Sequence, residues 1–132
     1  MFGVMLQDWT TVHVTGTAGT VKQSEPTWVD VGDYRDIVLW LETRGVLIPA
    51  LQSVQLYYET SPTKDDGLFS TLASQASLAA NTRYIDKVLE ASNPSVPLSK
   101  WVRWRLAVTG SPSTEWGATF RIHCSLNANR SR

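Results

Sequence analysis

The chain has 132 residues, of which 42% are apolar and 18% charged, and its formal net charge is zero. This length and composition suit one domain with its own core and exclude a largely disordered chain. The neutral balance argues against a generic nucleic-acid binder, whose footprint is usually a basic domain, and a lone cysteine excludes an internal disulfide framework.

Met1–Leu6 is apolar but short, without the basic leader and long apolar run of a signal peptide. No window approaches the roughly 20 apolar residues of a membrane span. Thr10–Thr15 alternates and runs into Gly16-Thr-Ala-Gly19, which predicts a strand and a turn. Pro26–Val31 is a second short strand closed by Gly32-Asp33. Arg35–Glu42 is a third, apolar on both sides in its middle, as a central strand covered on both faces would be, and Arg44-Gly45 ends it.

Ser53–Thr60 is a fourth strand with Val54, Leu56 and Tyr58 inward. The segment Ser61-Pro-Thr-Lys-Asp-Asp-Gly67 after it is dense in turn formers. Leu68–Leu72 reads as a short strand, and Ser74–Asn81 as a loop or a single helical turn. Arg83–Glu90 is ambiguous: Tyr84, Val88 and Ala91 have helical spacing, while β-branched and aromatic content favours a strand. Ser92-Asn-Pro-Ser-Val-Pro97 breaks whatever precedes it.

Two long alternating runs follow, joined by Gly110-Ser-Pro-Ser113. In the first, Val102, Trp104, Leu106 and Val108 share a face opposite Trp101, Arg103, Arg105 and Ala107. In the second, Ala118, Phe120, Ile122, Cys124 and Leu126 oppose Thr119, Arg121, His123 and Ser125. A period of two over so many residues is the pattern of half-buried antiparallel strands. The expected fold is therefore all-β: a single-domain antiparallel β-sandwich, jelly-roll-like, with about seven to nine strands across residues 1–132. Its ends, about 1–9 and 127–132, are expected to be flexible or ordered by a partner.

The charge is unevenly spread. Residues 1–99 carry six Lys/Arg against eleven Asp/Glu, and residues 100–132 carry six Lys/Arg against Glu115 alone. Such asymmetry lets copies meet through opposite surfaces, or lets acidic strands pair with basic ones inside one chain. If the two last strands pair, Arg103, Arg105, Arg121 and His123 lie about 5 Å apart across the ladder and need anions between them. Trp101, Arg103, Arg105, Arg121 and His123 are then the candidate interface, with Trp101 stacking and the arginines forking to a carboxylate-rich partner, a glycan or nucleic acid. The plainer alternative is ion pairing with Glu42, Glu59 or Asp36 on adjacent strands.

Other constellations carry less. Asp65 and Asp66 lie beside several hydroxyls, but calcium needs a spaced ladder of six to eight oxygens. Asp30, Asp33 and Asp36 recur every third residue, a spacing that strand and turn geometry would scatter. His13 and His123 are the only histidines, too few for zinc, and Cys124 on an apolar face reads as a buried inert thiol. There is no nucleophile elbow, phosphate loop or dinucleotide fingerprint, so neither catalytic residues nor a cofactor is expected.

The runs Trp28–Trp40, Val54–Pro62 and Trp101–Arg105 resemble those of small β-sandwich structural proteins of tailed bacteriophages, of the head decoration (cement) type. The resemblance is one of style across roughly residues 10–126, with no diagnostic motif. It implies a virion protein, assembled in the host cytoplasm, that binds the major capsid protein or neighbouring subunits and forms homo-oligomers. A tail, baseplate or head–tail connector component is equally compatible. A carbohydrate-binding module is the alternative from another class, with Trp9, Trp101 or Trp116 stacking on sugar rings.

Overall fold

The computed structural model describes residues 2–15, 18–109 and 114–128. Among them are nine strands: β1 (Phe2–Val14), β2 (Thr20–Lys22), β3 (Val29–Asp30), β4 (Asp36–Leu47), β5 (Val54–Ser61), β6 (Ser70–Gln75), β7 (Arg83–Val88), β8 (Trp101–Val108) and β9 (Trp116–Asn127). Three single 3-10 turns, at Glu25–Thr27, Asp66–Leu68 and Glu90–Ser92, are the only helical elements described.

The strands form two antiparallel sheets. One has the order β1-β9-β4-β7; the other has β2-β8-β5-β6, with β3 also paired to β8. Most strands adjacent in sequence lie in different sheets, the exceptions being β2–β3 and β5–β6, in a jelly-roll-like arrangement of two packed sheets. The inward faces follow the alternation. Ile37, Leu39 and Leu41 of β4 and Phe120, Ile122, Cys124 and Leu126 of β9 meet Val54, Leu56 and Tyr58 of β5 and Val102, Trp104 and Leu106 of β8. The Trp104 and Phe120 rings touch edge to face at 5.0 Å.

That contact corrects the expected pairing of the two long alternating strands. β8 and β9 belong to opposite sheets and face each other through the core; they share no ladder. Each already has neighbours on both edges: β2, β3 and β5 flank β8, while β1 and β4 flank β9.

Three smaller expectations also change. β1 starts at Phe2, so most of the segment expected to be free or partner-ordered is paired with β9 of its own chain. β4 passes Arg44-Gly45 through a bulge and runs on to Leu47. Its second face is not covered, because Trp40 is 37% exposed there. Residues 83–88 are the strand that their β-branched and aromatic content favoured, with Tyr84, Asp86 and Val88 on the inward side; Asp86 is tolerated because Gln75 Nε2 donates to it at 2.8 Å. The linker 110–113, part of the Gly16–Gly19 turn and the tail 129–132 lie outside the described residues.

A buried amide ties the sheets together at the β1 edge. Gln23 Nε2 donates to the Leu6 carbonyl and the Thr27 carbonyl, both at 2.8 Å, and its Oε1 accepts from the Trp104 amide at 3.1 Å. Trp104 Nε1 in turn donates to Gln7 Oε1 at 2.9 Å. The β1 ladder is bulged around Gln7, and the Leu6 and Trp104 backbone groups find a partner in Gln23 rather than being left unsatisfied in the interior.

Candidate interaction faces

The five sequence-derived interface residues divide between the two outer faces. Trp101, Arg103 and Arg105 project from β8 on one side of the sandwich; Arg121 and His123 project from β9 on the other.

On the β8 side the charges are consumed within the chain. Arg103 is only 2% exposed. Its Nε donates to Glu59 Oε1 at 2.8 Å and its Nη1 to Asp66 Oδ1 at 2.7 Å. Phe69 lies 3.8 Å and Trp28 5.0 Å from its guanidinium carbon, so two aromatic rings from flanking segments cover it. Arg105 Nε donates to the other Glu59 oxygen at 2.9 Å and packs on the Tyr57 ring. Glu59 lies directly across from Arg103 in the β5–β8 ladder, and Asp66 arrives on the 3-10 turn after Pro62. The Arg103 hydrogen bond, with a second from Lys22, holds the Asp66 carboxyl below its usual range. Trp101 is partly buried, with Lys64 and Lys100 over its ring at 4.5 and 5.7 Å.

The β9 side is open. Sheet register aligns Met5, His123, Trp40 and Ile85 in one row across β1, β9, β4 and β7. Met5 is 39%, Trp40 37% and Ile85 48% exposed. The next row holds Arg121, Glu42 and Arg83, and the row on the other side holds Gly3, Ser125, Val38 and Lys87. A shallow concavity of about 690 Å³ is lined by Met5, Trp40, Glu42, Arg83, Arg121 and His123, among others. Arg121 is held in place: its Nε donates to Glu42 Oε1 at 2.7 Å and its guanidinium lies 4.8 Å from the Trp9 ring. The Arg121 hydrogen bond depresses the Glu42 carboxyl below its usual value, and the nearby charges of Arg121 and Arg83 add to this.

Other singled-out residues have structural partners. Asp36, expected among the arginine partners, instead accepts from the Glu90 amide at 2.8 Å and from Asn127 at 3.3 Å. Asp65 accepts from the Gly67 amide and caps the following turn, so it and Asp66 are both engaged. Asp30 accepts from the Gly32 amide, which lowers its pKa, and pairs with Lys100 at 3.3 Å. His13 lies 3.4 Å from Glu115. No group of three or more His, Cys, Asp or Glu among the described residues is placed to hold a metal ion. Burial pushes the Cys124 thiol up to about 12. Of the proposed sugar platforms, Trp116 is a core residue whose indole donates to the Ala18 carbonyl, and Trp9 lies under Arg44 and Arg121. In the row of Met5, His123, Trp40 and Ile85, only His123 is among the sequence-derived candidates. For Trp40 the signal was the apolar character of both sides of β4, which fits an exposed apolar face as well as double burial.

No protein-family model matches the sequence, and no curated protein matches it. Among solved structures the chain is similar to the VP2 subviral particle of infectious bursal disease virus, with a TM-score of 0.54 and 8% identity over 96% of this chain and 32% of that one. It is similar also to a structure of T=1 particles derived from that virus, with a TM-score of 0.51 and 8% identity over 96% of this chain and 31% of the other. The chain spans about a third of the length of those proteins. At this identity the likeness is one of fold alone, a jelly-roll-like β-sandwich.

Proposed function

We propose that this chain is a non-enzymatic structural protein of a virus particle, acting through protein–protein contacts, and that it decorates the assembled head of a tailed phage. The observation that supports the reading is the fold: the two antiparallel sheets are similar, over 96% of the chain and with a TM-score of 0.54, to part of the VP2 protein of a virus-derived particle. The Trp-rich runs that resemble phage head decoration proteins point the same way. On this reading the partners are shell subunits and copies of the chain itself, and no cofactor takes part.

The experiment is to raise antibody against the purified chain and follow it through gradient-purified particles from the organism that encodes it. The expected result is co-migration with filled heads, in a fixed ratio to the shell subunit, and rebinding of purified chain to heads stripped of it. Recovery only from particle-free fractions would overturn the reading. Co-migration with isolated tails would move the protein to the tail or connector.

A further inference from the structure

We infer that the outer face of the β1-β9-β4-β7 sheet is the docking surface, and that its partner is an acidic protein surface with an apolar centre. The inference rests on the virion reading for the identity of that partner, the outer surface of the shell. Its chemistry is argued from the face alone.

The apolar groups form a row rather than a single platform. Met5 and Ile85 stand on the two outermost strands of the sheet, with Trp40 between them and beside His123. At roughly 4.8 Å per strand the row is about 14 Å long. One sugar ring over Trp40 would leave both ends of it wet, whereas a protein surface covers all of it. The occupant therefore has to present a strip of apolar side chains.

The flanks set its charge. On one side stand Arg121 and Arg83, on the other Lys87. The side chains of Arg83, Lys87 and His123 make no hydrogen bond or ion pair within the described residues. Glu42 is the single acid in these rows, and Arg121 donates to it through Nε, with no hydrogen bond from either Nη group among the described residues. Buried under a partner, unpaired cations would be strongly unfavourable; opposite carboxylates they become the charge-assisted contacts typical of interface arginines. The other outer face contrasts with this one, since Glu59 and Asp66 already occupy Arg103 and Arg105 there. Charge complementarity thus selects the β9 side.

The first test needs no virion. The isotopically labelled chain is titrated with a synthetic heptapeptide of apolar residues flanked by glutamates, and with its lysine-flanked counterpart. Shifts confined to Met5, Trp40, Arg83, Ile85 and Arg121, weakened at high salt and absent with the lysine peptide, support the inference. Shifts scattered over the molecule or centred on Trp101 overturn it.

The second test uses stripped heads. The double variant Arg83→Glu/Lys87→Glu alters two exposed side chains that make no hydrogen bond or ion pair among the described residues. Losing the attraction of Arg83 for Glu42 across the ladder should lower the melting temperature slightly while the chain stays folded, which circular dichroism checks. The double variant should bind heads at least tenfold more weakly, while Lys64→Glu on the opposite face binds normally. Wild-type binding that the double variant retains sinks the docking face and leaves the virion reading standing. No wild-type binding alongside a positive peptide map sinks the virion reading and leaves the face. A self-dimer of the pure protein that Arg83→Glu/Lys87→Glu dissociates would make a second copy the partner and overturn the acidic-shell assignment, as would sugar binding that Trp40→Ala abolishes.

Discussion

Arg103 stands on the polar side of a strictly alternating strand, yet it is buried because the segment after Ser61 folds back over the sheet and lays Asp66 and Phe69 against it. Two carboxylates and two rings replace the water it gives up. Such an ion pair adds little net stability over an apolar substitute, but removing one partner leaves the other charged and dry. Arg103→Met should therefore destabilise the isolated chain by about 3 kcal/mol, the low end of the range for a broken buried pair because Arg105 still holds Glu59. Urea denaturation checks this. A loss below about 1 kcal/mol, the value of an exposed pair, would mean that the guanidinium is solvated. The same reasoning removes Arg103 from the partner-binding surface and leaves Arg121, whose fork is only partly used, on it.

At the scale of elements, β9 is the strand on which most depends, since it carries β1 on one edge and β4 on the other. Gly117 shows how tightly β1 is laid down. A methyl group at that position would run into the Val12 carbonyl oxygen and crowd His13 Cα at 3.1 Å. Both obstacles are backbone of the paired strand, so neither can swing aside. Gly117→Ala should cost about 1–3 kcal/mol and loosen β1 selectively. Hydrogen exchange is the measurement: amides of Thr11–Val14 should lose protection while those of β5 and β8 keep theirs. Uniform loss would mean that β1 unfolds only with the whole domain. Gly45, by contrast, sits in a β4 bulge where an added methyl meets nothing.

For the molecule as a whole, ion pairs join segments distant in sequence. Asp66 links the turn after β5 to β8 and β2, Glu42 links β4 to β9, and Asp30 links β3 to the approach to β8. All three carboxyls lie below their ordinary values of 3.8 for the aspartates and 4.5 for Glu42: Asp66 through Arg103, Glu42 through Arg121, Asp30 through the Gly32 amide. A depressed pKa in the folded state means that the unfolded chain binds more protons in acid. Their contribution is thus present in full above about pH 5 and is lost as pH falls through 4 and below. The melting temperature should be level from pH 5 to 7 and fall steadily between pH 4 and 2. A melting temperature that rises on acidification would contradict the pairing described.

Much of this was legible from residue order. Alternation is a local property of an extended chain, so the inward sets of β8 and β9, the buried Cys124 and the all-β sandwich could be read residue by residue. Even the acids that neutralise the arginines, Glu42 and Glu59, were among those named, because opposite charges on neighbouring strands attract whatever the topology. Which strands are neighbours was not legible, since pairing depends on edges supplied by segments more than 100 residues away, such as β1 against β9. Hence β8 and β9 were taken as partners when they oppose each other across the core, and one presumed cationic cluster became two faces. A period of two tells which side chains share a face; only the closed jelly roll decides whether that face is roofed, as over Arg103, or open, as around Trp40.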